Sequence, residues 1–217
     1  MNTTTNASSR HWTWLLWLLA VIGWATPTFG LSTQSFAIDP ARSRALIEVG
    51  KAGALSFLAG HTHEVMGSAI RGAVDLDTEA VARSTVRLEI DATALKVTGK
   101  GEPPKDVPEV QRVMLSEKVL DVERYPKILF DSTGISITGR TATAFDLMTT
   151  GKLTLHNVTR SLSVPVHATL EGDTLTASGR FSVKQTDYGI KPVSVGGVVA
   201  VKDAVDISFT IVARTRR

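Results

Sequence analysis

Apolar and polar residues alternate along most of this chain with a period of two. In "STVRLEIDATA" Val86, Leu88, Ile90 and Ala92 alternate with Thr85, Arg87, Glu89 and Asp91, the pattern of a strand with one dry and one wet face. "SLSVPVHATLEG" sets Leu162, Val164, Val166, Ala168 and Leu170 against Ser163, Pro165, His167 and Thr169. "TLTASGRFSVKQ" then places Leu175, Ala177, Gly179, Phe181 and Val183 on one side, and the intervening "EGD" supplies a tight connection. A hairpin over Ser161 to Lys184 follows. The last strand, "AVDISFTIVA", points Val205, Ile207, Phe209, Ile211 and Ala213 inward.

Weaker versions of the pattern occupy "RALIEV", "SAIRGAVDLD", "KILFDST", "TATAFDLM" and "GKLTLHNV". About eight or nine strands with little helix between them predict an all-β, antiparallel meander, closed as a barrel or stacked as a sandwich. The connections are too short for parallel βαβ units. The exception is "GKGEPPKDVPEVQRVMLSEKVLDVERYP", where a Gly, Pro and Lys-rich loop leads into Asp106 as N-cap, Pro108 in the first turn and Glu109 three residues after the cap. Val110, Val113 and Met114 form a short amphipathic face there, which predicts one or two helical turns lying over one end of the barrel. This segment reads equally as a gate over the mouth or as a lid that buries it, and both place Met114, Leu115 and Leu120 against apolar residues.

Composition changes the picture at the N-terminus. The 217 residues are 43% hydrophobic and 21% charged, ordinary for one compact domain. Yet Arg10 is followed by the uncharged run "WTWLLWLLAVIGWA", with small residues at Ala25 and Gly30. Residues 1–30 read as a secretory signal peptide and 31–217 as the mature domain, with an uncleaved N-terminal anchor as the alternative. Either implies export. All four tryptophans fall in the leader, so Val, Leu, Ile and Ala fill most of the mature interior. The absence of cysteine removes disulfides, thiolate metal sites and thiol nucleophiles. A formal charge of +3 comes with only one tight basic cluster, "ARTRR", which suits an anionic membrane surface better than nucleic acid.

Candidate chemistry begins at "GHTHEVMG". His61 and His63, one residue apart on an extended chain, point the same way, whereas Glu64 points opposite. A metal site needs a third inward ligand, and His156 and His167 do not converge on the pair. Two polar groups at a strand end, bonding loop backbone or a ligand head group, are the simpler reading. No Gly-x-Ser-x-Gly elbow, phosphate loop or inward carboxylate pair is present, so hydrolase and nucleotide chemistry has no anchor.

Five segments in order resemble the YceI-like family of lipid- and polyisoprenoid-binding domains: "FAIDPARSRALIEVG", "GHTHEVMGSAIRGAVDLD", "VLDVERYPKILFDST", "GKLTLHNVTRSLSVPV", and "QTDYGI" with "VKDAVDISFTIVA". The resemblance runs from Phe36 to Arg214. Asn157 departs from the hairpin Gly but accepts positive φ. Gln185 stands where many relatives carry Arg, which makes any ligand contact there neutral, and "VPEVQRVML" replaces the usual helix sequence.

The resemblance implies an extended, eight-stranded lipocalin-like barrel with a short helix over one end. It also implies a non-enzymatic periplasmic or secreted carrier for a long apolar amphiphile, such as a polyisoprenoid, an isoprenoid quinone or a fatty amide. A barrel of eight strands has an interior just wide enough either to be filled by side chains or to hold one slender guest. About 20 methylenes at roughly 0.8 kcal/mol each would supply on the order of 16 kcal/mol before association costs.

Expected wall residues are Phe57, Leu58, Met66, Ile90 and Met114, then Leu120, Phe130, Phe145 and Leu153, and finally Phe181, Tyr188 and Ile190. His61 and His63 would orient the polar end. No cofactor, catalytic residue or nucleic-acid partner is expected; contact with an envelope membrane and homodimer formation are left open. The alternatives are a metal-dependent enzyme built on His61 and His63, and a filled β-sandwich acting as an adhesion or assembly module.

Overall fold

The computed structural model describes residues 1, 3, 33–52, 62–195 and 199–216. The predicted leader, Phe57, Leu58 and His61 lie outside these described residues, apart from residues 1 and 3 of the leader. The chain divides into two compact units, Met1–Gly30 and Leu31–Arg217, and the second carries the sheet.

The strands, in chain order, are β1 (Thr33–Ile38), β2 (Arg44–Ala52), β3 (His63–Gly67), β4 (Ile70–Asp77), β5 (Thr85–Asp91) and β6 (Lys96–Val97). One helix, α1 (Val107–Leu115), precedes β7 (Lys127–Arg140), β8 (Ala144–Leu155), β9 (Val158–Glu171), β10 (Thr174–Lys184), β11 (Ser194–Val195) and β12 (Val199–Thr215). Eight of them close a ring in the order β1-β4-β5-β7-β8-β9-β10-β12, sealed where Phe36, Ala37 and Ile38 pair with Thr215, Arg214 and Ala213. The ring is an antiparallel barrel, and the sandwich alternative falls. Closure removes the exposed edges that an open sheet of this size would present.

Beyond the seam, β2 takes over from β1 along β12, and β3 takes over from β4 along β2. The break between β1 and β2 is a turn in which Arg42 and Ser43 both donate backbone N–H groups to the Asp39 carbonyl. Ser43 then fills the gap in the ladder: its Oγ accepts from the Val212 N–H at 3.0 Å and donates to the Val212 carbonyl at 3.2 Å. The hydroxyl replaces a missing strand partner in a buried place. Ser43→Ala is expected to orphan the Val212 N–H and lower unfolding free energy by about 1–3 kcal/mol, measurable by denaturant titration. An unchanged midpoint would remove this role.

Several sequence expectations need correction. "TATAFDLM" and "GKLTLHNV" are not two strands; β8 runs through Gly151, which stays paired with Ser132 and Leu162. A Cβ at Gly151 would sit 2.4 Å from the Phe130 ring, so the bare backbone is what allows that ring to lie across the strand. Ala92 is not a strand residue. The Asp91 carboxylate accepts the Thr93 N–H at 2.9 Å and turns the chain into a short 3-10 segment, Ala92–Ala94.

Asp106 occupies the N-cap of α1, but its side chain makes no capping bond. The predicted reciprocal partner, Glu109, instead takes a fork from Arg112, with Nε at 2.8 Å and Nη2 at 2.6 Å. The helix is held in place elsewhere. Gln111 accepts the Val97 N–H at 2.8 Å and donates to the Leu95 carbonyl at 2.9 Å, so its carboxamide stands in for a neighbouring strand along β6. Val107, Val110 and Met114 pack on Val65, Leu95 and Val97, which lays the helix against the β3 and β6 side of the barrel. The β8–β9 turn behaves as read, with Asn157 at φ 60° and His156 beside it at φ 51°.

Candidate binding site: a divided apolar lumen

The inward rows enclose two chambers of about 160 Å³ and about 170 Å³. Ala45, Ile90, Leu153, Phe181 and Ile207 line both, so the chambers meet at a common waist. The first chamber lies between β4, β5, β7, β8, β9, β10 and β12, with Ile70, Val74, Val81, Leu147 and Leu175 among its walls and Ser84 and Thr149 as its only polar side chains among the described residues. Phe36 is completely buried in the cluster behind it. The second lies on the helix side, bounded by Val49, Val65, Met114, Leu120, Ile128 and Ile190. Among the described residues, Gln185 is its only polar lining side chain.

The waist is aromatic on one flank. Phe181 and Phe209 meet edge to face, with centroids 6.3 Å apart at 62°. Gly179 makes room for this contact, because a Cβ there would stand 2.7 Å from the Phe209 ring and 2.5 Å from the Pro165 carbonyl.

Of the predicted wall residues, Ile90, Phe130, Phe145, Leu153, Phe181, Met114, Leu120 and Ile190 all line one chamber or both. Met66 does not. It pairs with Leu46, while the inward positions of β3 are His63, Val65 and Gly67, so Met66 points to the other face of the sheet. Tyr188 is buried with Leu153 and Ile190 and supports the wall from behind; burial raises its phenol above the usual range.

His63 continues the inward row beyond Val65 and pairs with Val49, itself a lining residue of the helix-side chamber. Its Nδ1 lies 3.1 Å from Oε1 of Glu102, whose side chain is 1% exposed against 23% for the histidine. The two atoms are close but not aligned for a hydrogen bond, which leaves Oε1 of a buried carboxylate without a donor. Glu64 points outward as expected and pairs with Lys100 at 2.9 Å; that bond, and then one from Thr98, hold its carboxyl below the ordinary range. Among the described residues no group of three or more His, Asp or Glu is arranged to hold a metal ion. His167 pairs with Asp146 at 2.7 Å on exposed strand positions, and His156 stacks edge-on with Tyr125, so neither joins His63.

Sequence reasoning missed Glu102, which sits in a Gly and Pro-rich loop where no periodicity marks a side chain as buried. It also left out Ala45, Leu147, Ile207 and Phe209, although the alternation of β12 already turned the last two inward.

The barrel resembles several solved structures. Burkholderia cenocepacia BcnA superposes with a TM-score of 0.62 at 21% identity, covering 81% of this chain and 98% of that one. A polyisoprenoid binding domain from Saccharophagus degradans, implicated in plant cell wall breakdown, gives 0.60 at 11% identity over 84% and 99%. Campylobacter jejuni YceI protein gives 0.51 at 11% identity over 70% and 84%. At these identities the likeness is one of fold. Comparison with curated proteins gives no match. The YceI-like domain model, however, matches residues 36–213, which is nearly the whole of the barrel from its first strand to its last, and the chain therefore belongs to the YceI-like domain family.

Proposed function

We propose that this protein is a carrier that holds one apolar amphiphile, an isoprenoid or fatty chain, along the axis of its barrel. The observation that carries the reading is the pair of apolar chambers sharing a waist. A dry cavity of about 150 Å³ accepts a benzene ring, so each chamber matches about six carbons. A tail of about a dozen carbons then fills both without moving a side chain, and burying it at about 0.8 kcal/mol per methylene supplies on the order of 10 kcal/mol before association costs. Longer tails extend past the helix-side end or widen the waist. The fold relationship to the Saccharophagus degradans polyisoprenoid binding domain supports the same ligand class.

Such a job needs no bond to be made or broken, so we read the protein as a binder without catalysis. The leader pattern in residues 1–30 supports export to the cell envelope, where such ligands reside. Native mass spectrometry of protein purified gently from its own envelope tests both points. The expected spectrum shows a mature chain beginning near residue 31 with a single apolar adduct. A bare mass would overturn the carrier reading, and a retained leader would turn export by cleavage into anchoring.

A further inference from the structure

We infer that ligand enters and leaves this barrel sideways, through a gap in its wall between β9 and β10 that the short 3-10 turn Gln185–Tyr188 closes as a shutter. The inference rests on the carrier reading and adds the route.

The ring is not zipped along its full height. β9 and β10 pair from Glu171 with Thr174 to Val166 with Gly179, and among the described residues no pair follows. The next in register would be Pro165 with Arg180, and proline brings no N–H to a ladder. Each strand keeps its other neighbour: β9 stays paired with β8 as far as Val158, and β10 with β12 as far as Lys184. The wall therefore splits at Pro165, and the split runs to the helix-side end. The lining of the helix-side chamber reflects it. β8 contributes Leu153 and Leu155, β10 contributes Phe181 and Val183, and β9, which lies between them in the ring, contributes no residue.

The chain that follows β10 fills this sector. Ile190 lines the chamber, and Tyr188, 2% exposed, packs in one cluster with Leu162 of β9 and Phe181 and Val183 of β10. The turn is anchored unequally. On the β12 side Gln185 Nε2 donates to the Lys202 carbonyl at 2.8 Å, and Thr186 gives its N–H and its hydroxyl to the Asp203 carboxylate at 2.9 and 2.7 Å. On the β9 side Arg160 Nε donates to the Asp187 carbonyl at 2.9 Å, and the ring of His156 donates from Nδ1 to the Tyr188 carbonyl at 3.3 Å. Arg160 and Asp187 are both exposed, so water competes for that bond. Gly189, at φ 74°, ends the turn in a conformation that glycine adopts without strain. The turn is thus hinged on β12 and latched on β9.

β7 likewise outruns β5, which pairs with it only as far as Asp131, and the 3-10 segment Val81–Arg83 packs beside it there. The buried Asp77 carboxylate takes the Glu79 and Ala80 N–H groups and Arg83 Nε, so that plug is locked from within. Of the two plugs, the one between β9 and β10 is latched from the solvent side.

The chain has no cysteine, so thiols can be placed singly. Arg160→Cys with Asp187→Cys, joined by a short bis-maleimide linker that carries a reducible disulfide, staples the turn to β9. Glu64→Cys with Lys100→Cys, joined in the same way, staples the loop before α1 to β3, where the native pair stands 2.9 Å apart. Delipidated protein is mixed by stopped flow with parinaric acid, a fluorescent polyene chain. The β9 staple is expected to slow association and dissociation together by about tenfold or more at unchanged Kd, and reduction of the linker to restore both. The staple beside α1 should change neither rate. Arg160→Ala, which frees the latch alone, should speed both rates by about two- to tenfold. Thermal unfolding of each variant confirms that the barrel is intact. Unchanged rates under the β9 staple, or equal slowing by both staples, overturn the lateral route and leave the carrier reading standing. Failure of the unstapled parent to bind parinaric acid by fluorescence and farnesol by calorimetry overturns the carrier reading itself.

Discussion

Ala45→Phe is expected to abolish uptake of a long apolar ligand while leaving the barrel folded. Ala45 faces the lumen at the waist, paired with Phe209 on one side and with Gly67 on the other, and it lines both chambers. A phenyl group there projects into space that already matches a benzene ring, so it replaces the guest with a covalently attached one. Losing one chamber removes about six methylenes of burial at roughly 0.8 kcal/mol each, which amounts to on the order of 1000-fold in affinity. Stability is expected to hold or rise, because a filled void offsets the strain of a larger side chain. Calorimetric titration with farnesol, paired with thermal unfolding, separates the two effects. Undiminished binding in a folded Ala45→Phe variant would show that the ligand does not run through the waist.

Gly72→Val is the counterpart that breaks the scaffold. Gly72 sits inside β4 at φ 142°, and a Cβ built there would lie 1.9 Å from the Arg87 carbonyl oxygen on the neighbouring strand. Neither the backbone angle nor the contact can be relieved by turning a side chain, because both belong to the main chain. The strand must move away from β5, opening the ladder that pairs Ile70 with Ile90 and Val74 with Val86. The expected loss is on the order of 3 kcal/mol or more, a large share of a typical domain's total and worth about 10 °C in midpoint. A melting temperature within a degree or two of the parent would show that β4 yields locally.

The contrast between these positions marks what could be seen in the sequence. Ala45 and Gly72 are both small residues in strand-like runs, and only the register of neighbouring strands shows that one borders a void and the other a carbonyl. Alternation is legible where a strand has one dry face and one wet face, so the inward rows of β5, β9, β10 and β12 could be named residue by residue. It fails where hydrogen bonds outside a regular ladder decide the path. The hydroxyl of Ser43 completing the β1–β2 turn and the carboxylate of Asp91 ending β5 leave no periodic trace. Met66 shows the opposite error: an apolar strand residue suits the wall, but Met66 shares the parity of Glu64, opposite to that of His63 and Val65, and so faces away. The polar end was half legible, since His63 stood out by its spacing, while the carboxylate beside it lies in a loop many residues further on.

The seam between β1 and β12 has a consequence for how the chain comes into being. The residues that complete the ring, Phe36 to Ile38 and Ala213 to Thr215, stand at opposite ends of the domain. A nascent polypeptide leaving the ribosome therefore cannot shut its own cylinder until nearly the final residue has been added. Until then the apolar inward rows lack the strand that closes over them, and β1 lacks its partner across the seam. Assembly must wait for the tail, and whatever escorts the unfinished chain has to shield that surface until the last strand arrives.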